Sequence, residues 1–185
     1  SAEVAEAIEQ DKVLSEQILK MARSPLCGVR SPDLTVGRAL VLIGFLTIRK
    51  LVVVSLCREI GSMEGDSDHW RHGLWVGIAA EEIVRRIDET IASEALMVGM
   101  MRTIGDRVGE DSGIRIESKI APERLERFLL AAERVADAIL AVRPALPTTA
   151  DVDEALESAG LVGMQDGKLA VDIRRGYELY ASLLS

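Results

Sequence analysis

The sequence predicts an all-α chain, a single multi-helix domain of 185 residues, on three observations. Apolar residues recur at helical spacing almost everywhere. Aromatics make up only 3% of the chain, so the core must be aliphatic, built from Leu, Ile, Val, Ala and Met. The one β-rich run, Leu51-Val52-Val53-Val54, has no second such run to pair with, and Arg49-Lys50 beside it makes a poor hairpin turn. The length suffices to bury a sizeable core. A content of 48% apolar and 28% charged residues, with mean hydropathy +0.17, is that of a globular chain.

The elements follow in order. Asp11 to Ala22 sets Val13, Leu14, Ile18, Leu19 and Ala22 on one stripe, with polar residues opposite. Pro25 and Pro32 bracket an irregular stretch that cannot continue a helix. Leu34 to Ile43 and Phe45 to Ile60 are two apolar segments meeting at Gly44; Ile48, Leu51, Val52, Ser55 and Leu56 follow helical spacing, so the second is read as a helix. Asp66, Ser67 or Asp68 is expected to cap a helix running to about Arg86, and a further one runs from about Asp88 to Arg107. After a loop at Gly109–Gly113, Pro122 opens a long helix through Val142. Pro144 and Pro147 stop it, Thr149 or Asp151 caps a short helix ending near Gly160, and Lys168 to Leu184 forms the last one.

Thirty acids against 22 bases give a net charge of −8. An acidic, aromatic-poor surface repels phosphate backbones and offers few stacking platforms, so nucleic acid is not an expected partner. Two cysteines, Cys27 and Cys57, are too few for a disulfide scaffold and suit a reducing cytoplasm. The acidic first residues lack the basic n-region of a signal peptide. The most apolar run, Ala39 to Ile48, falls well short of the roughly 20 residues that cross a bilayer. A cytoplasmic protein with no membrane partner is the expectation.

Catalytic motifs are sparse. His69 and His72 lie one turn apart in HWRHG, but a zinc or iron site needs three or four ligands and the nearest further candidate is Cys57. Helical spacing places His72 with Trp75, Val76, Ala79 and Ile83, facing the core as a hydrogen-bonded histidine. Glu64 to Asp68 has acids at alternate positions like a calcium loop, but His69 stands where glycine is required and Trp75 where glutamate is. There is no nucleophile elbow, Walker sequence or dinucleotide fingerprint. GMMRTIGDRV, Gly99 to Val108, does stand out: Leu96, Gly99, Met100 and Thr103 share a helix face, and Gly99 would admit a neighbouring helix closely.

Together these segments resemble the HDOD domain, a bacterial signalling relative of the HD-type metal phosphohydrolases. DKVLSEQILKMARSP is similar to the family's helix ending in an asparagine-serine turn, with Arg23-Ser24 at the turn. LTVGRALVLIGFLTIRKLVVV resembles its central helix pair, with Ala39, Ile43 and Gly44 in place. HWRHG resembles its Trp-x-His-Ser pattern, retaining Trp70 and His72 with Gly73 for serine. GMMRTIGDRV resembles its Gly-Leu-Leu-His-Asp-Ile-Gly signature, and SAGLVGM its leucine-glycine tail. The likeness runs from about Ala2 to Leu184.

The resemblance implies an HD/HDOD-like helical architecture and a set of four former metal-site positions. The first histidine falls on His72, the histidine-aspartate pair on Arg102 and Thr103, and the later aspartate on Asp137. A guanidinium has no lone pair to offer a metal, and Thr103 replaces an anion with a neutral hydroxyl. These are therefore vestigial positions: no catalytic residue, bound metal or cofactor is expected. Arg102 is expected to pair with Asp137 in place of the lost ion.

The function implied is a non-catalytic regulatory or interaction module of bacterial signal transduction, binding a partner signalling protein or a small-molecule or nucleotide ligand. The alternative is a residual metal-dependent phosphohydrolase acting on nucleotides, in which His72 and Asp137 recruit Glu81, Glu82 or Asp106. A third reading is a homo-oligomer contact through Leu169, Ile173, Tyr177 and Tyr180, an apolar stripe on the last helix, should that stripe be exposed.

Overall fold

The structure, a computed structural model, describes residues 2–24, 27, 29–63, 67–108, 122–141, 148–158, 163 and 167–184. Among these there is no strand. The helices are α1 (Ala2–Gln10), α2 (Lys12–Arg23), α3 (Val36–Ile43), α4 (Phe45–Met63), α5 (Ser67–Arg85), α6 (Glu89–Val108), α7 (Pro122–Ala141), α8 (Thr149–Ser158) and α9 (Lys168–Leu184).

The all-α expectation holds, and the β-rich run shows why. Leu51 and Val54 are fully buried while Val52 is exposed, a three-residue spacing that a strand's two-residue alternation cannot produce. Several boundaries are set by named caps. The Asp11 carboxylate accepts from Leu14 N–H at 3.0 Å and opens α2, and the Thr35 hydroxyl accepts from Arg38 N–H at 3.3 Å and opens α3. Asp88 accepts from Thr90 N–H at 3.0 Å just before α6. The cap expected for α8 needs correcting, and that for α5 narrows to Asp66. Thr149 and Asp151 already lie within α8, and Ser67 and Asp68 within α5, so none of these four is the residue flanking its helix. Asp66, the loop at Gly109–Gly113 and most of SAGLVGM lie outside the described residues.

The described residues belong to two compact units, 1–56 with 180–185, and 57–179. In the first unit α1, α2 and α3 pack on one another, and Ile18, Met21, Ala39, Ile48 and Leu51 are buried. Gln17 is buried there and accepts a hydrogen bond from the Ser55 hydroxyl across the helices. Gly44, at φ +80°, breaks α3 from α4, and the two helices turn by 110° around it. No single helix among the described residues is long and apolar enough to cross a membrane.

The second unit is organised around α5, which packs on α6 and on α7, while α8 packs on α7. Leu74, Ile78, Ile83, Leu96, Met97 and Met100 are fully buried at the α5–α6 contact and its surroundings. On α9, Leu169, Ile173 and Tyr177 are buried, and Tyr180, which belongs to the first unit, is buried as well, so the stripe is not exposed. Tyr177 stacks on Trp75 with ring centroids 3.8 Å apart and planes 2° from parallel, and its hydroxyl accepts from Arg71 Nε at 3.4 Å.

Candidate functional site

The four vestigial positions come from three helices of the second unit. His72 sits in the second turn of α5, Arg102 and Thr103 near the end of α6, and Asp137 late in α7. The glycines decide how closely α5 and α6 approach. A Cβ built on Gly99 would lie 3.0 Å from the Cα of Gly77, and one on Gly77 would lie 2.8 Å from the carbonyl oxygen of Leu96. The close approach expected of Gly99 is therefore present, and Gly77 is its counterpart on α5. One turn along, a Cβ on Gly73 would meet Thr103 Cβ at 3.4 Å, so two of the positions where the chain departs from the family pattern are neighbours.

The structure joins His72 and Asp137, 65 residues apart in sequence: His72 Nε2 lies 3.0 Å from Asp137 Oδ1. A carboxylate only accepts, so Nε2–H donates in this bond. Thr103 turns its hydroxyl onto its own helix, donating to the Gly99 carbonyl at 3.2 Å. Arg102 does not bind Asp137 as expected. Its Nε pairs with Glu133 Oε1 at 3.0 Å and its Nη1 lies 3.7 Å from Glu126 Oε1. The expectation rested on a buried carboxylate needing a cation. Asp137 is instead 72% exposed and already has His72, whose side chain is 25% exposed and so half-buried rather than in the core. The Arg102 guanidinium finds the two glutamates on the same helix, Glu133 being one turn before Asp137. That spacing was readable in the sequence once Asp137 was placed.

The residues present do not fit a metal ion. Of the four positions only His72 and Asp137 keep donor groups. Arg102 has no lone pair to offer an ion, and Glu133 is engaged by it. Among the described residues no three His, Cys, Asp or Glu side chains are grouped to hold an ion. Glu81 and Glu82 cannot complete the set. They lie nine and ten residues past His72 on the same helix, about 14 Å along its axis. Both are held elsewhere: Arg85 Nη2 lies 2.6 Å from Glu81 Oε1 and 3.2 Å from Glu82 Oε1, and Arg86 bridges to Asp172 on α9 at 3.4 Å. Burial raises the Glu82 carboxyl above its ordinary range, against the pull of Arg85. The side chains of His69 and Asp106 lie outside the described residues.

The HDOD domain family model matches residues 1–111, which include His72, Arg102 and Thr103. Asp137 and the SAGLVGM segment lie beyond the match. No curated protein and no solved structure matches the chain. The match covers more than half of the chain and the described residues are helical, so the chain belongs to the HDOD domain family.

Proposed function

We propose that this chain is a non-catalytic regulatory or interaction module of bacterial signal transduction, working in the cytoplasm with a degenerate HD metal site. One observation carries the reading: Arg102, at the position of a metal-binding histidine, is an ion-paired cation locked to Glu133 and Glu126. A metal-activated hydroxide needs an ion to lower the pKa of its water, and a guanidinium has no lone pair with which to hold that ion. Thr103 adds no charge in compensation, and its hydroxyl is turned onto the Gly99 carbonyl. The His72–Asp137 bond then serves to clasp α5 to α7. A module of this kind acts by binding, and its partner is a signalling protein or a small molecule such as a nucleotide.

Two experiments bear on the reading. Phosphate release from nucleoside mono-, di- and triphosphates, with manganese, iron or zinc added, should not exceed that of a His72→Ala variant. Release that depends on both the metal and His72 would turn the reading over to the residual phosphohydrolase. A thermal-shift screen against nucleotides then looks for the ligand, since binding to the native state alone raises stability.

A further inference from the structure

The corner between α3 and α4 exposes large apolar side chains in a pattern that the fold's own core does not require. Val41 and Leu42 end α3 and are 83% and 52% exposed, and Phe45 and Leu46 begin α4 at 62% and 46%. Their helices bury the opposite faces, through Val36, Ala39 and Ile43 on one and Ile48, Leu51 and Val54 on the other. The apolar four therefore sit at the apex of the 110° turn made at Gly44. One turn back from the apex, each leg carries an exposed arginine on the same face. Arg38 is three and four residues before Val41 and Leu42, and Arg49 is four and three residues after Phe45 and Leu46. From residue 34 to residue 58 there is no Asp or Glu, in a chain whose net charge is −8.

We propose that this corner docks on an anionic lipid surface, the apex entering the headgroup–acyl boundary while Arg38 and Arg49 lie at the level of the phosphates. The layering decides the occupant. A convex apolar tip with cations one helical turn, about 5.4 Å, behind it on both legs matches a surface that is apolar below and anionic above. Arginine's apolar stem reaches along the helix while its head stays with the phosphates. A protein partner would have to supply a groove and two acids at matching heights. The chain's overall negative charge does not prevent approach, because at physiological ionic strength charges beyond about 8 Å are largely screened. Sequence length and hydropathy led to the expectation of no membrane partner. The contact proposed is shallow and reversible rather than a crossing. The inference does not depend on the metal-site reading.

The test is co-sedimentation of the whole chain with phosphatidylcholine vesicles, with and without phosphatidylglycerol. Binding is expected to the anionic vesicles and to fall with added salt. Leu42→Ser with Phe45→Ser should abolish it, and Phe45→Trp should preserve it with a blue-shifted emission component. Arg38→Gln with Arg49→Gln should weaken it about 25-fold, at about fivefold for each arginine removed. All these positions are exposed, and an unchanged helical circular dichroism spectrum verifies that the variants fold. The proposal is overturned if the chain ignores anionic vesicles. It is equally overturned if it binds them as well after the Ser or Gln substitutions, or if those substitutions instead abolish self-association or capture of an acidic helical peptide.

Discussion

Replacing Gly77 by alanine should destabilise the second unit, although the same change in an exposed helix would help. A Cβ there would sit 2.6 Å from Met100 Cγ and 2.8 Å from the Leu96 carbonyl oxygen. Ordinary carbon contacts begin near 3.5 Å, and Leu96 O belongs to the backbone of α6, so rotating a side chain cannot relieve the clash. The helices must part by more than half an ångström, roughly, at this point. Overpacking of that kind costs about 1–3 kcal/mol, against a gain of about 1 kcal/mol from alanine's helix propensity. The net loss is up to about 2 kcal/mol. At Gly99 the new Cβ meets Gly77 Cα at 3.0 Å, a milder clash, and the loss shrinks to about 1 kcal/mol or less. At Gly73 the nearest atom is Thr103 Cβ at 3.4 Å, an ordinary contact, so alanine there is neutral or stabilising by up to about 1 kcal/mol. Urea denaturation followed by far-ultraviolet circular dichroism ranks the three. The order of stability should be Gly73→Ala, then Gly99→Ala, then Gly77→Ala. If Gly77→Ala proved as stable as Gly73→Ala, the close α5–α6 crossing would be wrong.

Two other outcomes follow from buried groups. Burial pushes the Cys57 thiol from its ordinary value of 9.0 up to about 12, so it should resist a thiol reagent at neutral pH while the half-buried Cys27 reacts. Because the folded value is the raised one, Cys57 contributes stability that is fully present below about pH 9. That contribution is lost as pH climbs toward about 12, and Cys57→Ala should flatten this alkaline decline in denaturation midpoint. Tyr177→Phe keeps the stack on Trp75 and loses only the long bond from Arg71, costing under about 1 kcal/mol, whereas Tyr177→Ala opens a cavity and should cost about 3–5 kcal/mol. Thermal melts that gave the two variants equal losses would contradict the stacked arrangement.

The helices were legible wherever one face is apolar and a cap is present. The last helix, Lys168 to Leu184, agrees at both ends, and α7 ends one residue from the expected Val142. The α1 helix was not recognised, because AEVAEAIEQ has too few large apolar residues to display a stripe; Ile8 is the one that is buried. At the site, chain order placed His72, Thr103 and Asp137 on neighbouring helices, and Gly99 announced the close crossing. Arg102 was given the wrong partner because burial, the quantity that decides whether Asp137 needs a cation, is a tertiary property. Glu81 and Glu82 were readable as engaged: the pairs that Arg85 and Arg86 make with them are written in EEIVRR at helical spacing, and so is their separation from His72 along one helix. The exposed apex at Gly44 was hidden in an apolar run that composition alone assigns to the core.

Elemental analysis of the whole chain, purified without chelators and then equilibrated with manganese, iron or zinc, tests the emptied ion site most directly. Substoichiometric metal, no lower in a His72→Ala variant, is the expected result. A stoichiometric transition metal that disappears on mutating His72 would contradict it.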